Sequence, residues 1–412
     1  MHESSQATVR EDANVSIFSP ERLPASVIFL GVVSLLTAMS SAMVYSLLPL
    51  FLVKVLGTTV AIVGLIEGLA ESTTSILKVV SGRISDWAGR RKAFVLLGYA
   101  LSACNKFLFP LAAAVSTVTL ARVVDRVGKG IRDAPRDAFL TDVIPLRRRG
   151  SGFGLRLAFY TTGYVLGPLA AIGLMLLSSD DFRLVFWVAT IPALVAIVIL
   201  VVAVKEIPHV RDANAARPVI RLKDIFEFST TFWWTIGIAG LLSLARCSQA
   251  FLVLKAFQVG IDAAFVPIIL ALSHTVYAVA AYPFGALADR LERRIQLGLG
   301  ILILILAHTI LAFGSTFEFV ALGAAFWGLQ LAVTQGLLAA SVADSAPSQL
   351  RGTAFGIFEL AAGVATFLAN AAAGALWLHG GSAMTFMAGA LVAACATVML
   401  FARPGQSIGS QR

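Results

Sequence analysis

Apolar runs of about 20 residues follow one another along almost the whole chain, and no other feature narrows the fold as much. Coiled as a helix, such a run matches the hydrocarbon thickness of a bilayer. Inside that layer each backbone N–H and C=O must be paired without water, which a continuous apolar run achieves as an α-helix. Bounded by charge or by Gly and Pro turns, the runs lie near 25–53, 58–81, 93–113, 115–141, 152–177 and 183–204, then near 230–254, 263–284, 295–314, 317–343, 352–378 and 382–402. Between the two sets, Lys205 to about Phe228 is rich in charge and contains Pro208 and Pro218, too polar for a membrane and too short for a folded domain. Only 13% of the 412 residues are charged and 58% are hydrophobic, against about 25% charged in soluble domains, which excludes an ordinary soluble fold. The expectation is an all-α integral membrane protein with 12 transmembrane helices in two bundles. Its units are a tail at 1–24, a six-helix bundle at 25–204, a linker at 205–229, a second six-helix bundle at 230–402 and a tail at 403–412.

Charge placement orients these helices. Cytoplasmic loops keep the excess of Lys and Arg. With the N-terminus inside, the inner segments hold 20 of them, including Arg83, Arg90, Arg91, Lys92, Arg147, Arg148, Arg149, Arg290, Arg293 and Arg294, and the outer segments hold two, Lys54 and Arg183. Both termini are therefore expected in the cytoplasm, with the chain in a bacterial-type cytoplasmic (inner) membrane. This asymmetry accounts for most of the net charge of +9 without a nucleic-acid partner. Residues 1–24 show no apolar core of a cleavable signal peptide, so the first run is expected to direct insertion. Cys104, Cys247 and Cys395 lie singly in apolar stretches, as packing residues do, and lack disulfide or zinc spacing. Neither a Gly-x-x-x-x-Gly-Lys phosphate loop nor a His-Glu-x-x-His helix occurs. No enzyme activity, cofactor, metal or ATP-driven step is expected.

The chain repeats itself. Gly82-Arg-Ile-Ser-Asp86-Trp-Ala-Gly89-Arg90-Arg91-Lys92 returns as Gly285-Ala-Leu-Ala-Asp289-Arg290-Leu-Glu292-Arg293-Arg294, displaced by 203 residues. Arg149-Gly150-Ser-Gly-Phe153-Gly154 returns as Arg351-Gly352-Thr-Ala-Phe355-Gly356, displaced by 202. Two parallel six-helix halves are an architecture of secondary transporters, with the substrate site where the halves meet. The Gly-x-x-x-Asp-x-x-Gly-Arg-Arg-Lys loop between the second and third runs resembles the signature loop of the major facilitator superfamily, and the resemblance covers the whole chain. Arg126-Val-Gly-Lys129-Gly130 is similar to that superfamily's Arg-x-x-x-Gly pattern, and Gly163-Tyr-Val-Leu-Gly167-Pro168 to its Gly-x-x-x-Gly-Pro pattern. The latter leans towards export, although Ala171 and Ile172 stand where exporters of the superfamily carry paired glycines.

The resemblance implies a gate. Asp86 would dock near Arg351 and Gly352 at the start of the eleventh run, and Asp289 near Arg149 and Gly150 at the start of the fifth. Unpaired N–H groups at a helix start attract a carboxylate. Gly82, Gly89, Arg90, Arg91, Gly285 and Arg293 complete the two loops. Gly163 and Gly167 share one helix face, where small residues allow close approach, and Pro168 bends the axis. Such a face suits either a rocking interface or an ordinary packing seam.

The fourth run carries Arg122, Asp125, Arg126, Lys129, Arg132, Asp133, Arg136 and Asp137 within sixteen residues. Each charge would cost about 2.5–3.5 kcal/mol at the centre of a lipid-facing helix, so these groups must face protein or water. Spacings of three and four predict pairs along the helix: Arg122 with Asp125, Asp125 with Lys129, Lys129 with Asp133, and Asp133 with Arg136. Five basic against three acidic groups leave an excess of positive charge, suited to an anionic solute or to acidic partners such as Glu67, Glu71 and Glu359. Arg122, Arg126, Lys129, Arg132, Arg136, Arg246 and Gln249 are the candidate solute ligands. Glu67, Glu71, Asp125, His274 and Glu359 are the candidate proton carriers, with structural pairing as the competing role. His274 stands 203 residues after Glu71, at the equivalent place in the second half. Lys255, near the outer end of the seventh run, is expected to snorkel to the interface.

These features predict a monomeric secondary active transporter, surrounded by membrane lipid, that moves a small polar or anionic solute by alternating access. Protons are the expected coupling ion, and export is slightly favoured. A non-transporting receptor or scaffold with a transporter fold is the alternative, and accumulation of solute against a gradient separates the two.

Overall fold

The computed structural model describes residues 24–88, 91–145, 148–204, 228–288, 290–334, 336–347 and 350–402, with the side chains of Arg83, Asp86 and Ala288 excepted. The described residues form helices and turns, with no strand among them. In the first half α1 is Ala25–Tyr45, extended past a turn by Leu48–Leu50 and the π-turn Phe51–Val55; α2 is Val60–Ala88; α3 is Arg91–Asn105, extended by Leu108–Leu111; α4 is Val115–Val143; α5 is Arg149–Leu177; and α6 is Phe182–Ala203. In the second half α7 is Thr230–Ala245 and resumes as Ala250–Gln258; α8 is Ile268–Ala288; α9 is Arg293–Phe313; α10 is Phe317–Thr334 and resumes as Leu337–Ser345; and α11 is Arg351–Ala402.

Ten helices among the described residues are long and apolar enough to cross a membrane. The charges of α4 keep it out of that set, though its 29 residues equal the length of α2 and α5. The 52 residues of α11 would reach about 78 Å as one rod, far beyond a hydrocarbon core of ~30 Å. Its helix breaks at Gly381, where φ is 72°. Thr385 then donates to the carbonyl of Ala373 at 3.0 Å. A straight helix would hold those residues about 18 Å apart, so the chain doubles back where the sequence places its last turn.

The two halves share one packing pattern. In the first, α1 lies on α5 and α6, α2 on α4, and α3 on α4 and α6; in the second, α7 and α9 lie on α11, α8 on α10, and α9 on α10. Between halves α2 meets α11 and α5 meets α8, two contacts that a two-fold exchange of the halves interconverts. The loops repeat as well. Gly57 (φ 66°) and Gly260 (φ 91°) stand 203 residues apart in left-handed turns that a side chain would strain. Arg91 pairs with Asp142 and, 202 residues on, Arg293 pairs with Asp344.

Glycine sets the closest approach between halves. On α2, Gly64 and Gly68 lie against α11: a Cβ at Gly68 would stand 2.9 Å from the carbonyl oxygen of Phe367, and one at Gly374 would stand 2.9 Å from the Cα of Ala61. The Gly163 and Gly167 face instead packs on α1, inside the first half, where a Cβ at Gly167 would lie 2.6 Å from the carbonyl oxygen of Met39. At the end away from the arginine-bearing loops, Leu48–Leu50 packs on Ala250–Gln258, and an apolar cluster that includes Phe51, Phe182, Phe186 and Phe251 joins the two halves. Lys255 is buried there and donates to Ser382 Oγ at 3.1 Å, so it does not snorkel as its position in the sequence suggests.

Candidate functional site

On the arginine-bearing side of that apolar seal, the halves enclose a cavity of about 610 Å³. Eight basic and five acidic side chains line it, and all but Arg246 come from the first half. Arg122, Arg126, Lys129, Arg132, Arg136, Arg246 and Gln249 all reach the cavity, as do Glu67, Glu71, Asp125 and His274. Glu359 is outside the lining and holds Lys78 Nζ, which is part of it, at 2.7 Å.

The charges of α4 are compensated mostly from neighbouring helices. Arg122 makes a two-pronged contact to Glu67, Nε to Oε1 at 2.9 Å and Nη2 to Oε2 at 2.8 Å, with its guanidinium 3.8 Å from the centre of the Tyr45 ring. Arg126 pairs with Glu71 at 2.9 Å. Asp125 accepts from the Tyr45 hydroxyl and pairs with Lys106 at 3.3 Å, a fully buried lysine that also donates to Ser41 Oγ at 3.2 Å. The predicted Arg122–Asp125 and Asp125–Lys129 pairs therefore do not form. Burial decides this: Lys106 has no water to turn to, and a buried cation left alone costs more than an i,i+4 pair on one helix returns. Nearer the arginine-bearing end the helical spacing does hold, with Arg136 on Asp133 at 2.9 Å. Lys129 is not within 4.0 Å of Asp133. Arg136 also meets Asp137 at 3.1 Å, Arg156 reaches Asp137 at 3.9 Å, and Arg132 donates to Ser102 Oγ at 2.8 Å.

The second half meets this ladder at a break in α7. Arg246, Cys247 and Ser248 leave the helix between Ala245 and Ala250 and line the cavity. The freed N–H of Ser248 donates to Asn370 Oδ1 at 2.6 Å, and its hydroxyl donates to Glu67 Oε2 at 2.9 Å, a polar link across the halves. α1 has a turn at Ser46–Leu47, the equivalent depth in its own half. Interrupted helices beside a midplane cavity are a recurring way to present backbone groups to a solute. His274 of α8 lies against Tyr164 of α5 with ring centroids 4.8 Å apart.

The gating candidates divide. Arg91 donates to the carbonyl of Ala138 at 3.0 Å beside Asp142, and Arg293 holds Asp344. Cβ positions at Gly150, Gly285 and Gly352 would face open space, whereas one at Gly82 would touch Ala134 at 3.4 Å. Pro168 lines the cavity. The Asp86 side chain, Gly89, Arg90 and Asp289 lie outside the described residues. So do most of the two expected tails and of the linker, of which Phe228 and Ser229 are described. Ser229 accepts from the N–H of Phe232 at 3.2 Å and caps α7.

Sequence reasoning missed Tyr45, the Lys106–Asp125 pair, the α7 break and the Gly64/Gly68 seam. The repeated Arg91–Asp142 and Arg293–Asp344 pairs were detectable from the shared displacement of 202.

Comparison with known proteins agrees with this architecture. The family model described as Major Facilitator Superfamily matches residues 30–257 and again 238–411. An uncharacterized MFS-type transporter of Methanocaldococcus jannaschii, MJ1317, is 31% identical over 384 residues, 92% of this chain and 94% of that protein. Quinolone resistance protein NorA of Staphylococcus aureus is 26% identical over 179 residues, 43% of this chain and 42% of its own length. Among solved structures, a point mutant of the nucleoside transporter NupG aligns with a TM-score of 0.76 at 13% identity, covering 92% of this chain and 98% of that one. The human organic anion transporter MFSD10 aligns at 0.66 with 17% identity, covering 93% and 100%. With its family model matched over both halves and a relative similar over nearly its full length, the chain belongs to the Major Facilitator Superfamily.

Proposed function

We propose that this chain is a secondary active transporter of a small polar or anionic solute, working by alternating access and coupled to protons. The carrying observation is the cavity between the halves, whose cation excess sits at a depth where charge is tolerated only against protein or water. Closure at the apolar end, with the cavity reaching towards the arginine-bearing loops, supports a conformation facing the cytoplasm, with both termini on that side. Glu71, a third exposed and shared between Arg126 and the cavity, is the best-placed proton carrier; Glu67 and Asp125 are held by partners on all described sides. The two signature loops act as the cytoplasmic gate. The Gly163-to-Pro168 pattern and the partial likeness to a quinolone resistance protein favour export.

Everted vesicles provide the test. Solute accumulation should vanish when the proton gradient is collapsed, and Glu71→Gln should abolish gradient-driven accumulation while sparing solute exchange. Accumulation that ignores both the gradient and Glu71→Gln would remove the proton from the mechanism.

A further inference from the structure

Six of the eight basic side chains lining the cavity have a carboxylate within 4.0 Å. Two do not. Among the described residues Lys129 and Arg246 pair with no acid. Asp125 and Asp133 lie one turn to either side of Lys129, but the first is taken by Lys106 and Tyr45 and the second by Arg136. Arg246 donates from Nη2 to Thr334 Oγ1 at 2.6 Å, while its Nε is buried without a partner. These two cations stand on opposite halves, one on α4 and the other in the break of α7, facing a common cavity. A buried or half-buried cation with no carboxylate in contact is costly, and the carboxylates of α4 are already engaged by other cations: Asp125 by Lys106, Asp133 and Asp137 by Arg136, and Asp142 by Arg91.

The second half's share of the lining has different chemistry. Apart from Arg246 it carries no carboxylate, Lys or Arg. Leu270, Leu331 and Trp327 give it apolar surface among polar groups such as Gln249 and Tyr277, and the buried Nε2 of His274, which lies against Tyr164, has no hydrogen-bond partner among the described residues. A small inorganic ion would satisfy the cations and leave this apolar surface wetted. A larger solute would satisfy both.

We propose that the cavity is built for an organic anion whose oxyanion head bridges Lys129 and Arg246 and whose planar, largely apolar body lies against Leu270, Trp327 and His274. The assignment rests on the transporter reading and deepens it: the solute supplies the counter-charge missing from each half, so that its binding draws the halves together. Without it, two like charges oppose that movement.

The experiment uses the purified full-length chain in detergent and in proteoliposomes, with benzoate and 1-naphthoate as probes. Benzylamine, benzyl alcohol and inorganic phosphate are the controls. Ligands of the folded state raise its apparent melting temperature. Both aromatic carboxylates should do so saturably, and the three controls should not. Lys129→Gln and Arg246→Gln orphan no carboxylate, so both should fold, and each should weaken naphthoate binding about tenfold or more, with Lys129→Arg restoring most of it. Stabilisation by benzylamine or phosphate equal to that by benzoate, no response to either carboxylate, or unchanged titration of both Gln variants would each overturn the proposal. Counterflow of the probe separates the two claims. Binding that depends on Lys129 and Arg246 without counterflow supports the site and counts against transport. Counterflow of benzylamine with no effect of either carboxylate does the reverse.

Discussion

The Glu67–Arg122 pair tests what keeps a helix as charged as α4 inside the bundle. Both residues are buried, 5% and 3% exposed, and two hydrogen bonds join them. Removing one partner of such a pair costs about 3–5 kcal/mol, because the survivor stays buried and uncompensated, whereas replacing both is close to neutral. Their surroundings make the two single variants unequal. In Glu67→Gln, Arg122 keeps Glu71 at 3.8 Å and the Tyr45 ring at 3.8 Å, so the loss should fall to about 1–2 kcal/mol. In Arg122→Met, Glu67 keeps only the Ser248 hydroxyl at 2.9 Å among its described partners, and the full ~3–5 kcal/mol applies. Glu67→Gln combined with Arg122→Met should then lose only about 1–2 kcal/mol relative to the parent, a coupling of roughly 2–6 kcal/mol. Reversible unfolding of the purified chain in mixed micelles, followed by circular dichroism during titration with dodecyl sulfate, measures all four proteins. Equal losses in the two single variants would refute the reasoning about Arg122's reserve partners. Additive losses would refute the pairing itself.

Two further outcomes follow from the packing. Gly68→Leu, which places side-chain atoms against Phe367 of α11, should destabilise the chain by about 1–3 kcal/mol and stop solute exchange; Gly352→Ala, whose Cβ faces open space, should change stability by less than about 0.5 kcal/mol, and the comparison is read by the same unfolding assay together with counterflow. Cys247 lines the cavity whereas Cys104 and Cys395 are exposed on the bundle exterior; with those two replaced by Ala, a membrane-impermeant maleimide should label Cys247 in everted vesicles and much more slowly in right-side-out vesicles, and equal rates would contradict closure at the apolar end.

Much of the fold could be read from the chain because lipid leaves the backbone few options. Run length and charge placed most helix ends within a few residues, although α2 runs on from the expected 81 to Ala88 and α8 starts at Ile268 instead of 263; the break at Gly381 falls between the last two expected runs. The site was legible by composition and less so by pairing. Glu67 and Glu71 were identifiable as acids opposite α4, but helical spacing assigned Asp125 to its own helix, whereas the deeper burial of Lys106 claims it. Local periodicity cannot rank two partners that differ in desolvation. The α7 break carries no glycine or proline at Arg246–Ser248. It exists because Asn370, distant in sequence, accepts the freed N–H, and no local pattern encodes that.

Framework and chemistry divide differently between the halves. Packing pattern, left-handed turns and loop ion pairs all repeat at an offset near 203, whereas seven of the eight cavity cations belong to the first half. A carrier must hold its two states within a few kcal/mol of each other, or a solute cannot shift their balance. A repeated framework does this naturally, since the packing given up at one end resembles the packing formed at the other. A charge ladder spread evenly over both halves would work against it, because strong buried pairs would have to break and re-form in every cycle at about 3–5 kcal/mol each. Here the ladder is almost wholly internal to the first half, from Lys106 and Asp125 to Arg136 and Asp137, and can move with it as one body. The polar links described across the halves are Ser248 to Glu67 and Lys78 to Glu359. The first is a single hydroxyl hydrogen bond to a carboxylate, worth about 1.5–3 kcal/mol, and the second is partly exposed, with Lys78 42% accessible, and worth about 1 kcal/mol or less. Rocking in the proposed cycle therefore disturbs these weaker polar links and the apolar seal, and leaves intact the pairs that make a charged helix tolerable in the membrane.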